Sequence, residues 1–283
     1  MKLRKASALA ASVLALTLTA TACGSSDDDN GGSGSGSGNG GGSGTITVGI
    51  KFDQPGLGLK TPDGSFAGFD VDVATYIAGE LGYEPGDIEF VETPSAEREN
   101  MLKRGDVDFI VATYSITDAR KEQVDFAGPY FVAHQDLLIR ADEDVNSVDE
   151  INDLTLCSVT GSTPAQNIKD NVAPNARLHE FGTYSECLTG LENGTVDALT
   201  TDDVILAGYA AQEQHQGKFK LAGLGMTDEL YGVGVQKGSD LRDEINTAIE
   251  SMVESGAWEE ALDKNVGPSG YTAQGAPEIT ETN

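Results

Sequence analysis

The chain has 283 residues, 39% of them hydrophobic, with 18 Lys and Arg against 46 Asp and Glu, a net charge of −28 at pH 7. So acidic a chain lacks the electrostatic footprint of a nucleic-acid-binding protein, and its charge favours a soluble, self-repelling body. The three histidines, His134, His179 and His215, stand too far apart in sequence for metal-ligand spacing, and no metal or cofactor is expected.

Residues 1–22 read as an export signal. Lys2, Arg4 and Lys5 form a basic start, and Ala8–Ala20 form an apolar run too short to span a bilayer. Gly24–Gly44 contain only Gly, Ser, Asp and Asn, a composition that cannot bury a core and behaves as a tether. The signal holds three of the 18 basic residues and none of the 46 acidic ones, so the remainder carries 15 against 46, a net −31. In such a chain any cluster of basic side chains is a candidate site. The stretch Ala20-Thr21-Ala22-Cys23 resembles the lipobox of bacterial lipoproteins. That resemblance implies cleavage before Cys23, acylation of Cys23, and a body anchored to the membrane at the extracellular face.

From Thr45 the pattern is β-α-β-α-β. Thr45–Phe52 reads as a strand ending near Lys51, followed by a Pro/Gly loop over Asp53–Gly64. Phe69–Leu81 has a helical apolar face of Val73, Ala74, Ile77, Ala78 and Leu81. Ile88–Glu92 is a strand, Ser95 is placed to cap a helix running to Arg104, and Val107–Ala112 is a third strand. Right-handed crossovers would make these strands parallel. Phe131–Arg140 reads as a longer strand leading to an acidic break over Ala141–Asn146.

There the pattern restarts. Ser147–Glu150, Thr163–Gln166 and Thr183–Glu186 each have capping-box spacing. Strands are expected at Thr155–Val159, Arg177–Phe181, Val196–Thr201, Phe219–Leu224 and Glu229–Gln236, and a helix at Asp203–Gln212. Ser239 is placed to cap an amphipathic helix ending at Gly256, and Ala257–Asn265 forms a last short helix. Two strand-like links around one α/β unit suggest an inserted second lobe, with two crossings that make a hinge. The expected division is 45–133 plus 234–267 for the first lobe, 134–233 for the second, and a flexible tail over 268–283. After Cys23 the remaining cysteines, Cys157 and Cys187, form an even pair in an exported chain and read as a disulfide.

The stretch Thr113-Tyr-Ser-Ile-Thr-Asp-Ala-Arg120 organises the rest. It follows a strand, and Thr117 can cap the short turn that carries Arg120. Free backbone N–H groups, hydroxyls and one guanidinium fork then meet at one point, the equipment for holding a carboxylate bidentately.

The stretch Gly68-Phe-Asp-Val-Asp-Val73 with Ile77, Ala78 and Leu81 resembles the signature of family 3 extracellular solute-binding proteins, the polar amino-acid receptors of ABC importers. The resemblance covers Thr45–Gly267, and Asp53-Gln-Pro-Gly56 within Ile46–Lys60 is similar to the glutamate-binding lipoproteins of actinobacteria. It implies a type II two-lobe α/β binding fold and no catalysis. It implies that Arg120, with Thr113 and Ser115, holds the ligand α-carboxylate. Gly161, Ser162 and Thr163 complete that subsite from the second lobe, and Asp202 receives the α-ammonium. Lys51, Ser95 and Arg98 match positions that contact the ligand side chain, where two cations favour a second carboxylate over an amide. Tyr184 stands where some relatives carry His. The implied ligand is L-glutamate, delivered by a monomer to an ABC permease. Glutamine or aspartate, and a cyclohexadienyl-dehydratase-like enzyme on the same fold, are the alternatives.

Overall fold

The computed structural model describes residues 44–282. The expectations for 1–22, for Cys23 and for nearly all of the tether lie outside the described residues. In chain order the strands and α-helices are β1 Ile46–Ile50, β2 Asp53–Gln54, β3 Gly58–Lys60, β4 Phe66–Ala67, α1 Phe69–Glu80, β5 Ile88–Glu92, α2 Arg98–Arg104, β6 Phe109–Ile110, α3 Asp118–Lys121 and β7 Asp125–Arg140. They continue as β8 Thr155–Val159, α4 Thr163–Asn167, β9 Arg177–Phe181, α5 Tyr184–Glu192, β10 Ala198–Asp202, α6 Asp203–Ala210, β11 Phe219–Leu221, β12 Asp228–Val235, α7 Leu241–Glu254 and α8 Ala257–Asn265.

The main sheet runs β5-β1-β6-β12-β7-β10-β8-β9, with β11 also paired to β7. On one side β1 lies parallel to β5 and β6, as right-handed β-α-β crossovers require. On the other, β8 lies parallel to β9 and β10. These are the sheets of the two lobes, and β7 and β12 join them. The Asp125–His134 part of β7 pairs with β12, and the Gln135–Arg140 part pairs with β10 and β11. The second lobe is therefore inserted into the first, and the chain crosses between them twice.

Strand β7 begins six residues before the expected Phe131 and runs through Pro129, a residue that demotes a strand in sequence. The ladder accommodates it through a register shift between Tyr231 and Val233 of the partner strand. The first lobe packs its core around Phe69, Phe131, Tyr231 and Trp258. Phe69 and Trp258 meet edge to face at 5.7 Å, and the Trp258 indole N–H donates to the Tyr130 carbonyl at 2.8 Å. In the second lobe Cys157 of β8 and Cys187 of α5 form a disulfide.

Four expected caps differ. The N-cap of α7 is Asp240 rather than Ser239, whose Oγ accepts the Leu241 N–H at 3.3 Å. Helix α2 starts at Arg98, its N-cap is Glu97, and Ser95 makes no capping bond. Ser147 also makes no side-chain cap; its hydroxyl meets the Glu150 carboxylate instead. Helix α4 is capped by Ser162, whose Oγ accepts the Ala165 N–H at 3.2 Å, so the cap lies one residue before the expected Thr163. The box at Thr183–Glu186 forms as expected. Residues 268–282, expected as a flexible tail, lie against the body. Tyr271, Ala273, Ala276 and Ile279 pack on the core, and the Thr280 and Glu281 N–H groups both donate to the Gly128 carbonyl at 3.0 Å. Four small or apolar side chains spaced among polar ones were enough to dock it.

Candidate functional site

The first lobe supplies three buried cations. Lys51 follows β1, Arg98 opens α2 and Arg120 rides α3; their exposures are 5%, 2% and 9%. Thr117 caps α3 as expected, its hydroxyl accepting the Arg120 N–H at 3.3 Å. Lys51 Nζ donates to Ser95 Oγ at 2.8 Å, which explains why Ser95 is not a cap. Burial, and then the neighbouring Arg98 charge, lower the Lys51 pKa from 10.5 to about 7. Burial and the Arg120 charge lower that of Arg98 to about 10. Arg98 Nη1 donates to the Ala112 and Thr113 carbonyls at 2.9 and 3.3 Å, and its guanidinium lies over the Tyr114 ring at 4.1 Å. Its Nε finds no partner among the described residues.

Thr113 adopts φ +44°, an unfavourable conformation for a β-branched residue. It is held there by Asp70 of α1, whose Oδ2 accepts the Thr113 N–H at 2.9 Å and whose Oδ1 accepts the Tyr130 hydroxyl at 2.8 Å. Burial raises the Asp70 pKa to about 6, while those two donors oppose the shift. Asp70 thus lies beneath the strand-end turn and fixes where Thr113 and Ser115 stand.

The second lobe faces this cluster. Arg120 Nη1 donates to Ser115 O at 2.7 Å and to Thr163 Oγ1 at 2.9 Å, and Nη2 donates to Gly161 O at 3.0 Å. The cap at Ser162 is what leaves the Thr163 hydroxyl available to Arg120. Arg120 Nε lies 3.3 Å from Glu99 Oε1. Gly161 has φ +77°, and a Cβ there would lie 2.7 Å from Ala96 Cα, so the lobes meet backbone to backbone. Tyr184 is buried at the start of α5.

Asp202 ends β10 and precedes α6 without making a capping bond. Its Oδ2 accepts the Tyr231 hydroxyl at 2.5 Å, while Oδ1 has no partner among the described residues. Burial, then the neighbouring Glu229, push its pKa well up. Glu229 of β12 is 3% exposed and its own pKa is raised by burial, opposed by Ser115 and Arg120. Sequence reasoning gave Glu229 no role; an acid next to the apolar run Leu230–Val235 was the available signal.

Of the eleven expected positions, Gly161 and Thr163 of the second lobe bond to Arg120, Tyr184 and Asp202 lie within electrostatic reach of Arg98, and Ser162 caps α4 next to Thr163, all at the junction between the lobes. It presents hydroxyls and three cations from the first lobe, and one unpartnered carboxylate oxygen from the second. A separate cavity of about 210 Å³ beside Pro55, Val204 and Gly208 is lined by no charged side chain and offers no such chemistry.

Two lobes joined by paired crossing strands, with polar groups converging between them, define a solute receptor of the type II binding fold. Residues 46–268 match the bacterial extracellular solute-binding proteins, family 3, and the chain belongs to that family. It is 46% identical over 240 residues to the glutamate-binding protein of Corynebacterium efficiens, covering 81% of each chain. It is 41% identical to the glutamine-binding protein of an ABC transporter of Bacillus subtilis, covering 76% of this chain and 79% of that one. An ancestral arginine-binding protein bound to glutamine superposes with a TM-score of 0.74 at 32% identity, over 80% of this chain and 99% of that one. These relatives are binding proteins, not enzymes. The chain is an extracellular or periplasmic amino-acid receptor for ABC transport.

Proposed function

We propose that the protein captures L-glutamate outside the cell and hands it to an ABC permease, as a monomer held at the membrane by acyl chains on Cys23. The observation that carries this reading is three buried cations converging in a chain of net charge −28. Glutamate brings two carboxylates and one ammonium. Arg120, with Thr113, Ser115 and the Gly161–Thr163 loop, takes the α-carboxylate. Asp202 takes the ammonium through its unpartnered Oδ1. Lys51, Ser95 and Arg98 take the γ-carboxylate, and Tyr184 closes over the side chain.

The lobes divide at 45–133 with 234–267, and at 134–233, and close about β7 and β12. Ligand binds first to the Arg120 lobe, and the Gly161–Thr163 loop and Asp202 arrive on closing. The glutamate-binding name of the Corynebacterium efficiens relative supports this ligand. A glutamine receptor is the second reading, favoured by the Bacillus subtilis relative and by the lowered pKa of Lys51, which leaves that side chain part-neutral near pH 7.

Calorimetric titration of the mature protein with glutamate, glutamine and aspartate tests the assignment. Glutamate is expected to bind most tightly; glutamine binding at least as tightly would transfer the site to the second reading.

A further inference from the structure

The stretch Asp53-Gln-Pro-Gly56 is left without a role by the ligand contacts. In the structure it is where the second lobe grips the first. Asp53 lies on β2, two residues past Lys51. Its Oδ2 accepts from the Ser185 N–H and from the Ser185 hydroxyl, each at 3.3 Å. The Tyr209 hydroxyl lies 2.6 Å from the Asp53 carbonyl and 3.0 Å from Oδ2, its single proton serving one of them at a time. Ser185 sits in the first turn of the nine-residue α5, where the helix dipole also favours a carboxylate. Tyr209 lies near the end of α6 and is 2% exposed.

Beside this clasp the backbones touch. A Cβ on Gly208 would lie 2.2 Å from the Pro55 carbonyl oxygen, so only a glycine lets α6 seat on the loop. The Gly161–Ala96 approach is the second backbone contact between the lobes. The Gly161 contact lies in the loop that meets Arg120, and the Gly208 contact lies beside the Asp53 clasp.

We propose that Asp53 is a positioning residue that latches the closed form and sets how long a ligand stays, without touching the ligand. The proposal rests on the receptor reading, in which the lobes open and close around an amino acid. A charged hydrogen bond between lobes forms only on closing, so it lowers the closed state and leaves the encounter with the open state unchanged. The effect belongs in koff rather than kon.

Asp53 also acts on Lys51, whose pKa its charge raises, so Asp53→Asn alone would mix two effects. Tyr209→Phe and Ser185→Ala remove the two hydroxyl donors from the other lobe, keep the Ser185 N–H, and leave Lys51 as it is. Stopped-flow fluorescence with glutamate should show kon within about twofold of the wild type for all three variants. The koff of Tyr209→Phe and Asp53→Asn should rise by roughly tenfold, the scale of one charged hydrogen bond. Combining Asp53→Asn with Tyr209→Phe should add far less than the sum of the two, because they share one clasp. Unchanged koff, or a kon loss matching the koff gain, overturns the latch.

A ligand-independent measurement separates this failure from failure of the glutamate assignment. With one spin label on each lobe, the ligand-free wild type should show a larger short-distance population than Tyr209→Phe. Equal populations overturn the latch whatever the ligand is; a shifted population without glutamate affinity leaves the latch standing and removes the ligand assignment.

Discussion

The two faces of the cleft solve different problems. The first lobe buries three cations and holds each by internal hydrogen bonds: Lys51 to Ser95, Arg98 to the Ala112 and Thr113 carbonyls, and Arg120 to Ser115. The second lobe offers a carbonyl, a hydroxyl and an acid, and the first two reach Arg120 only because the lobes are together. The first face is preorganised at the cost of burial and, after it, cationic crowding, which together lower the pKa values of Lys51 and Arg98. The second is a set of neutral contacts completed by Asp202. The buried cations therefore sit in the first lobe, and the groups that reach across to Arg120 sit in the second.

The largest loss is expected at Arg120, where the two lobes meet. Arg120→Lys keeps the charge and loses the planar fork that reaches Ser115, Thr163 and Gly161 together. Affinity for glutamate should fall by about 100-fold or more, the scale of losing a buried charged partner. Calorimetry that finds the affinity unchanged would remove Arg120 from the α-carboxylate subsite.

The second lobe can be weakened without touching the site. The Cys157–Cys187 bridge spans 30 residues of sequence, which the loop-entropy description values at about 3–4 kcal/mol. Cys157→Ser with Cys187→Ser should lower denaturant stability by about that amount, while glutamate affinity of the folded fraction stays near the wild-type value. Two free thiols titrated in unreduced, denatured wild-type protein would contradict the bridge itself.

Selectivity is the finer test. Lys51→Met with Arg98→Met should weaken glutamate far more than glutamine, by about tenfold or more in the ratio, because only glutamate leaves a carboxylate unmatched. Added salt should narrow the wild-type ratio less steeply than at an exposed site, since both cations are buried. A double variant with the full wild-type ratio would place the γ-carboxylate elsewhere.

Much of this was legible before any coordinates. Arg120 and its Thr117 cap are local, within three residues, and the strand-end positions of Lys51 and Asp202 follow from the β-α alternation. What sequence reasoning lost was long-range. Ser95 looks like a helix cap because a Ser ahead of a helical run is one; its partner is Lys51, 44 residues away. Thr163 reads as a cap for the same reason, and a shift of one residue to Ser162 leaves its hydroxyl facing Arg120. Asp53 meets Ser185 across 132 residues and Tyr209 across 156, contacts that no local pattern encodes. Asp70 lay inside the recognised signature, yet its grip on Thr113 emerges only when α1 packs under the turn. The tail reads as flexible because its composition is polar, while Tyr271, Ala273, Ala276 and Ile279 pack on the core.

Whether Lys51 and Arg98 hold a second ligand carboxylate can be read from the pH dependence of binding. Burial and Arg98 lower the Lys51 pKa to about 7, with Arg120 lowering and Asp53 and Glu92 raising it. A carboxylate placed beside Lys51 raises it again, so above pH 7 glutamate must bind together with a proton. Calorimetric Kd values for glutamate and glutamine from pH 6 to pH 9 should diverge in slope. Glutamate should hold steady below pH 7 and weaken above it by up to about tenfold per unit, the limit for one linked proton; glutamine should stay nearly flat. Parallel curves for the two ligands, or glutamine the tighter of the two at pH 6, would remove the second carboxylate from Lys51.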